Sequence, residues 1–349
     1  MKERAIGAVL GMAVGDALGT TYEFKRIEQP DYPTLATGPA TDVVGAGPFD
    51  LAAGAVTDDT QLAICIARSL VERGGFDPAD IAKRYIVWLE HAFDVGGQTL
   101  GAIDQLRDGT PYSSAGLTVW RERERKPAGN GSLMRTAPIA VAFADKPMAA
   151  VVEAAMVESM ITHADPRCAL ACAAFDAAAA AAIVTPLDGA AMVKVARAGL
   201  ALGAQRLRAG WSDPLDREHL ERAVVELEGD LDAALAVEPG VYRVGLHVHE
   251  TAGFVRVAFR LAFWHAVHTP SWRDAVVDVA SRGGDADTNA AIVGALLGAR
   301  DGASAIPAAW RDRVLAATQP GPAAWADAHH PRHLLALVET IPGSSTVDE

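Results

Sequence analysis

Apolar residues recur at i, i+3 and i+4 through most of this chain. Windows with that spacing begin near positions 4, 59, 78, 98, 132, 148, 166, 189, 216, 253, 271, 286 and 323, and each predicts a helix. Most are bounded by turn or capping residues, as at Gly74-Gly75, Asp77-Pro78, Asp165-Pro166 and Thr269-Pro270. Alternation of period two is scarce, and its clearest instance is the short run Val241 to His249. The pattern predicts an all-α fold, about a dozen Ala-rich helices in one compact orthogonal bundle. The domain is expected over residues 1–342, with a flexible tail at 343–349. One stretch differs: residues 205–240 carry Arg206, Arg208, Asp213, Asp216, Arg217, Glu218, Glu221, Arg222, Glu226, Glu228 and Asp230, and read as an exposed helix on a surface insertion.

Composition narrows the class. Half of the 349 residues are hydrophobic and 21% are charged, too apolar for a disordered chain. Lys and Arg number 31 against 44 Asp and Glu, a net charge of −13. General nucleic-acid binding and peripheral membrane binding need a basic surface, so neither is expected. No uncharged apolar stretch approaches the ~18 residues that would span a bilayer. Lys2, Glu3 and Arg4 before the apolar run Ala5 to Val14 imitate a leader, but Glu3 and Asp16 flank that run and favour an internal helix. Cys65, Cys168 and Cys172 cannot form a disulfide framework. Cys168 and Cys172 share one helix face as small core side chains, and a reducing cytoplasm is the expected compartment. A monomer is expected.

Several motifs fail on inspection. His249-Glu250-Thr251-Ala252-Gly253 opens like a zincin helix, but Gly253 stands where the second His belongs. His247 and His249 lack further soft ligands nearby and read as solvent-facing. Arg121 to Lys126 alternates with Glu122 and Glu124 and reads as a solvated strip. No phosphate-binding loop ending in Gly-Lys-Ser/Thr and no Gly-x-Ser-x-Gly elbow occurs.

Two segments hold. Thr57-Asp58-Asp59-Thr60 precedes the helix Gln61 to Val71, and Gly283-Gly284-Asp285-Ala286-Asp287-Thr288-Asn289 precedes the helix Ala290 to Gly298. Either alone could be helix capping, since Thr and Asp favour the N-cap and acids suit the first turn. Together they leave a surplus acid at each mouth. If the fold joins the two mouths, the carboxylates repel one another unless divalent cations hold them. An all-oxygen donor set suits Mg²⁺, Mn²⁺ or Ca²⁺, and so many acids imply two ions. Asp16 ends the first helix, either capping a loop or supporting the ligands from behind, and Glu23 follows in a loop free to reach a metal or a water. Gly129-Asn130-Gly131-Ser132-Leu133-Met134-Arg135 opens a predicted helix up to Ala144, where backbone N–H groups would suit phosphate.

In this order the segments resemble the ADP-ribosylglycohydrolase family, its bacterial branch in particular. The matching elements are Gly15 to Gly19 with Glu23, Thr57-Asp58-Asp59, Phe93-Asp94-Val95-Gly96, Gly129 to Arg135, Thr162-His163, Gly253-Phe254-Val255 and Gly283 to Thr288. The resemblance implies that Thr57, Asp58, Asp59, Asp285, Asp287 and Thr288 hold two Mg²⁺ or Mn²⁺ ions facing the distal ribose. It implies that Gly129, Asn130, Gly131 and Ser132 cradle the pyrophosphate, that Met134 and His163 line the substrate cleft, and that Phe254 stacks on adenine. It makes Glu23, Asp94 and Asp285 the catalytic acids. Ala258, Phe259 and Asn289 depart from residues common in relatives. The activity implied is hydrolysis of the N-glycosidic bond between ADP-ribose and a modified arginine, with an ADP-ribosylated protein as substrate and ADP-ribose as product. The alternatives are another ADP-ribosyl linkage (serine, O-acetyl-ADP-ribose or a modified base), a non-catalytic ADP-ribose-binding or structural protein, and a Ca²⁺-stabilised scaffold.

Overall fold

The computed structural model describes residues 1–27 and 38–340; the tail expected at 343–349 lies outside them. The chain forms helices α1 (Lys2–Gly19), α2 (Asp58–Arg73), α3 (Pro78–Trp88), α4 (Gly97–Arg107), α5 (Ala115–Glu122), α6 (Ala137–Ala142), α7 (Met148–Thr162) and α8 (Pro166–Val184). The second half adds α9 (Gly189–Gly210), α10 (Pro214–Ala233), α11 (Val255–His268), α12 (Trp272–Ser281), α13 (Ala286–Asp301), α14 (Ala308–Ala316), α15 (Ala323–Ala328) and α16 (Arg332–Glu339). Among the described residues the one sheet is a two-stranded antiparallel hairpin, Tyr242–Arg243 with Leu246–His247, inside the stretch that alternates in sequence.

The centre of the globule is the antiparallel pair α1 and α13. Glycines repeat every fourth residue along α1, so one stripe of that helix is bare backbone. A Cβ at Gly11 would sit 2.2 Å from the carbonyl oxygen of Gly294, and one at Gly15 would sit 2.2 Å from that of Ala290. The backbones therefore touch, and the C-terminal end of α1 meets the N-terminal end of α13. Trp272 of α12 closes the crossing by donating its indole N–H to Gly294 O at 2.9 Å.

Helices α1 and α8 are apolar on nearly every face, as central helices must be. By length and composition, Lys2–Tyr22 and Pro166–Val184 are apolar enough to cross a membrane, with mean hydropathies of 1.2 and 1.7. The sequence reading concerned uncharged stretches, and each of these helices carries charge: Lys2, Glu3, Arg4 and Asp16 in the first, Arg167 and Asp176 in the second. Here 89% and 83% of the two windows are buried inside the fold.

Three further expectations change. The helix predicted from 132 starts only at Ala137, because Pro138 has no N–H to donate and is tolerated only in a first turn; Gly129 to Arg135 is a series of turns. Helices α5, α14 and α16 went unpredicted, being only about two turns long, too short for an apolar period to stand out in the sequence. The charged stretch does contain a helix with an exposed outer face, but α10 also buries Leu220, Ala223, Leu227 and Leu231 against α8, α9 and α11. Two of its acids are interior anchors. Asp216 is held by Arg121 and by Arg125 at 2.7 Å, so the Arg121–Lys126 strip is tied down rather than simply solvated. Asp230 is held by Arg256 at 2.7 Å and by Arg260.

Candidate active site

The α1–α13 crossing sets Asp16 beside the second acidic segment, and Asp16 holds the first, so the two segments share one floor. Capping does not explain them: Thr57 and Asp285 occupy the N-cap positions of α2 and α13, yet neither side chain makes a capping hydrogen bond. Asp77, Asp165, Asp188, Asp213 and Ser271 do cap their helices. Where capping is the purpose, this chain achieves it with one acceptor.

Asp16, wholly buried, clamps the first segment. Its carboxylate accepts from the backbone N–H groups of Thr57 and Thr60, from the Thr57 hydroxyl at 3.0 Å and from the Thr60 hydroxyl at 2.6 Å. Burial raises its pKa to about 6 despite those donors, so it is mostly ionised at neutral pH. Carboxylate oxygens of Asp16, Asp59 and Asp287 lie within 4.8 Å of one another, and so do those of Glu23, Asp285 and Asp287. Thr288 donates to Asp59 Oδ2 at 3.3 Å and joins the second segment to the first.

Among the described residues no Lys, Arg or His forms an ion pair with this cluster. Burial, reinforced by the neighbouring acids, pushes Asp58, Asp59 and Asp287 well above the usual carboxylate range. Burial followed by the charges of Asp94 and Asp285 raises Glu23 to about 8. Burial also raises Asp94, which sits between α3 and α4 beside Asp58. Asp59 Oδ1 and Glu23 Oε2 are buried without a hydrogen-bond partner. Orphaned carboxylate oxygens among converging acids fit hard divalent cations.

Above this floor opens a cleft of about 380 Å³, lined by Glu23, Asp58, Asp94, Asp285 and Thr288 on the acidic side and by Gly129, Asn130, Gly131, Met134 and His163 opposite. Asn130 donates its side-chain N–H to Asp285 Oδ2 at 2.6 Å, tying the two walls together. The expected cradle is narrower than its sequence suggests. The Gly129 N–H is engaged by Gln98 Oε1 at 2.6 Å and the Asn130 N–H by Gly253 O at 2.9 Å, which leaves the N–H groups of Gly131 and Ser132. The Ser132 side chain is buried, its hydroxyl accepting from Ser159 at 2.9 Å and from the Cys172 thiol at 3.6 Å. Cys168 donates to Gly129 O at 3.1 Å, so both cysteines underlie this loop as buried, free thiols. Phe254 pairs its backbone with Gly129, and its half-buried ring faces the guanidinium groups of Arg167 and Arg256 at 5.4 and 5.9 Å; Ala252 and Gly253 line the cleft in its stead.

Sequence reasoning passed over several cleft residues, Gln98, Thr99 and Phe24 among them. Gln98 and Thr99 open α4 and carry no motif. Phe24 is 67% exposed at the cleft rim and adopts φ +59°, uncommon for a bulky residue. Its N–H donates to Gly284 O at 2.7 Å, which fixes the loop that carries Glu23. Of these, only the position of Phe24 directly after Glu23 was a signal.

Comparisons with known proteins identify the family. A family model described as ADP-ribosylglycohydrolase matches residues 1–340. The chain is 30% identical over 323 residues to an ADP-ribosylarginine hydrolase of Pseudomonas putida, across 89% of this chain and 74% of that protein. It is 29% identical over 317 residues to the ADP-ribosyl-dinitrogen reductase glycohydrolase of Rhodospirillum rubrum, across 89% and 90% of the two chains. A solved structure described as an ADP-ribosylglycohydrolase-related protein complex superposes with a TM-score of 0.67 at 27% identity, covering 97% of this chain and 98% of that one. With its acids gathered beneath a single cleft, the chain belongs to the ADP-ribosylglycohydrolase family of glycosidic-bond hydrolases.

Proposed function

We propose that this chain removes ADP-ribose from a modified arginine on a protein, using two divalent cations, Mg²⁺ or Mn²⁺. The carrying observation is the convergence of Asp16, Asp59 and Asp287, and of Glu23, Asp285 and Asp287, beneath a cleft lined by Glu23, Asp58 and Asp285, with orphaned oxygens on Asp59 and Glu23. Relatives named for ADP-ribosylarginine and for ADP-ribosylated dinitrogen reductase favour the arginine linkage. Thr57, Asp58, Asp59, Asp285, Asp287 and Thr288 would hold the ions. When bound, they would supply Lewis acidity toward the distal ribose and offset the crowded negative charge.

The remaining chemistry belongs to the chain. Cleavage breaks the C1″–N bond, joins a water oxygen to C1″ and needs a proton on the departing guanidino nitrogen. Glu23, raised by burial and by its neighbouring acids in the metal-free chain, is the first candidate to donate it. Asp94, at the same end of the cleft, is the second candidate and can take the proton that the attacking water releases. The acids left ionised stabilise the oxocarbenium character at C1″. Gly131 and Ser132 would give N–H groups to the pyrophosphate. Phe254 stands just outside the cleft lining, so a role for its ring against adenine would require the base to extend past Gly253.

The test compares release of ADP-ribose from arginine-linked and serine-linked ADP-ribosyl peptides, with Mg²⁺, with Mn²⁺ and with EDTA. Release from the arginine peptide that EDTA abolishes is expected. Release from the serine peptide alone would move the substrate class, and ADP-ribose binding without turnover of either would make the chain a binding protein.

A further inference from the structure

Beneath the glycine wall of the cleft lies a buried polar chain that the proposed chemistry does not use. Arg135 is fully buried, with its guanidinium 4.7 Å from the Tyr85 ring centroid and its Nε donating to Glu158 Oε1 at 2.8 Å. Tyr85 donates to the same Glu158 oxygen at 2.5 Å, which fixes the guanidinium in place. Arg135 Nη2 then donates to Thr162 Oγ1 at 2.7 Å, and Thr162 Oγ1 lies 2.7 Å from His163 Nδ1.

Proton arithmetic decides the direction of the last bond. A guanidinium only donates, so Thr162 must accept from it. The Thr162 hydroxyl has one hydrogen, and among the described residues its available acceptor is His163 Nδ1. The reverse arrangement, Nδ1–H donating to threonine, would strand the hydroxyl hydrogen in the interior, which is costly. Nδ1 is therefore bare and the ring hydrogen sits on Nε2. The backbone that carries the ring is fixed as well: the main-chain N–H of His163 donates to Ser159 O at 2.7 Å. Its other edge faces the cleft across two glycines. A Cβ at Gly131 would lie 3.0 Å from Nε2 and one at Gly129 would lie 3.4 Å from it, so only bare backbone leaves this edge open. Burial and the charge of Arg135 also favour the neutral ring.

We infer that Arg135 and Thr162 are positioning residues that lock His163 in its Nε2–H tautomer, presenting a fixed neutral donor to an acceptor oxygen of a ligand lying along Gly129–Gly131. Identification of that ligand as ADP-ribose rests on the proposed function; the tautomer does not. The arrangement gives the cleft a donor whose hydrogen stays on Nε2 across the neutral pH range.

The test uses the full chain labelled with ¹⁵N-histidine. Long-range ¹H–¹⁵N correlation reads the tautomer of His163 without ligand, its signals identified as those lost in His163→Gln. Wild type and Thr162→Ser are expected in the Nε2–H form. Thr162→Val, close in shape but without the hydroxyl, is expected to populate both tautomers. Its affinity for ADP-ribose should fall about tenfold, the scale of one hydrogen bond, and Thr162→Ser should restore it. An Nδ1–H signal in the wild type overturns the inference, whether or not the variants fold; so does an unchanged tautomer in a folded Thr162→Val. If no form binds ADP-ribose, the proposed function fails while the tautomer of the wild type still decides the inference.

Discussion

Replacing Glu23 with glutamine should stabilise the metal-free protein, by an amount that depends on pH. The Glu23 carboxyl is buried, has one orphaned oxygen and is raised from 4.5 to about 8. Below pH 4.5 the folded and unfolded chains both hold this proton, and the site costs nothing. As pH rises the unfolded chain releases it while the folded chain retains it, and the cost grows until it is complete above about 8. At about pH 7.5 the gap is roughly three units, or about 4 kcal/mol at ~1.4 kcal/mol per unit. At about pH 5 it is roughly half a unit, under about 1 kcal/mol. Unfolding entropy near ~2.1 cal/mol/K per residue gives this chain about 0.7 kcal/mol/K. Glu23→Gln should then raise Tm by about 5 °C near pH 7.5 and by about 1 °C near pH 5. Thermal melts in EDTA at both pH values make the measurement. A variant that melts lower near pH 7.5, or that gains equally at both, would refute an uncompensated acid at this position.

Asp59→Asn removes a carboxylate from the middle of the cluster; it should remove the rise in Tm that Mg²⁺ or Mn²⁺ gives the wild type and lower turnover at least ~100-fold, with the far-ultraviolet spectrum unchanged. Equal thermal shifts in both proteins would exclude Asp59 as a ligand. Gly11→Ala places a methyl against Gly294 O, where a Cβ would be 2.2 Å away, and should cost about 1–3 kcal/mol despite the better helix propensity of Ala, read as a lower urea midpoint. Asp230→Asn leaves Arg256 and Arg260 facing an amide and should destabilise by about 3–5 kcal/mol in the same assay, although the site is untouched.

Much of the fold was legible because its helices are local. A 3.6-residue period, a Pro or Gly boundary and an aspartate cap are all encoded within a few residues, and α3, α7, α8, α9 and α15 begin within a residue of their predicted starts. Where tertiary packing sets the element, the reading failed. The Ser132 hydroxyl turns inward to Ser159, and Asp216 is buried only because Arg121 and Arg125 arrive from distant sequence. A charge run shows no sign of which of its acids will be enclosed. The anion cradle shows the same limit, since glycine spacing does not reveal that Gln98 and Gly253 already engage two of its N–H groups.

The acids themselves were fixed in number and order by the sequence, and their surplus over capping was visible there. Their convergence was not. Thr57 and Asp285 are more than two hundred positions apart; Asp16 at the end of α1 clamps the first segment, and a stripe of glycines seats that end of α1 against the start of α13. The sequence determined which groups could do chemistry. The close crossing of α1 and α13 decided that they would do it together, because only backbone-to-backbone contact brings those helix ends near enough for their carboxylates to repel.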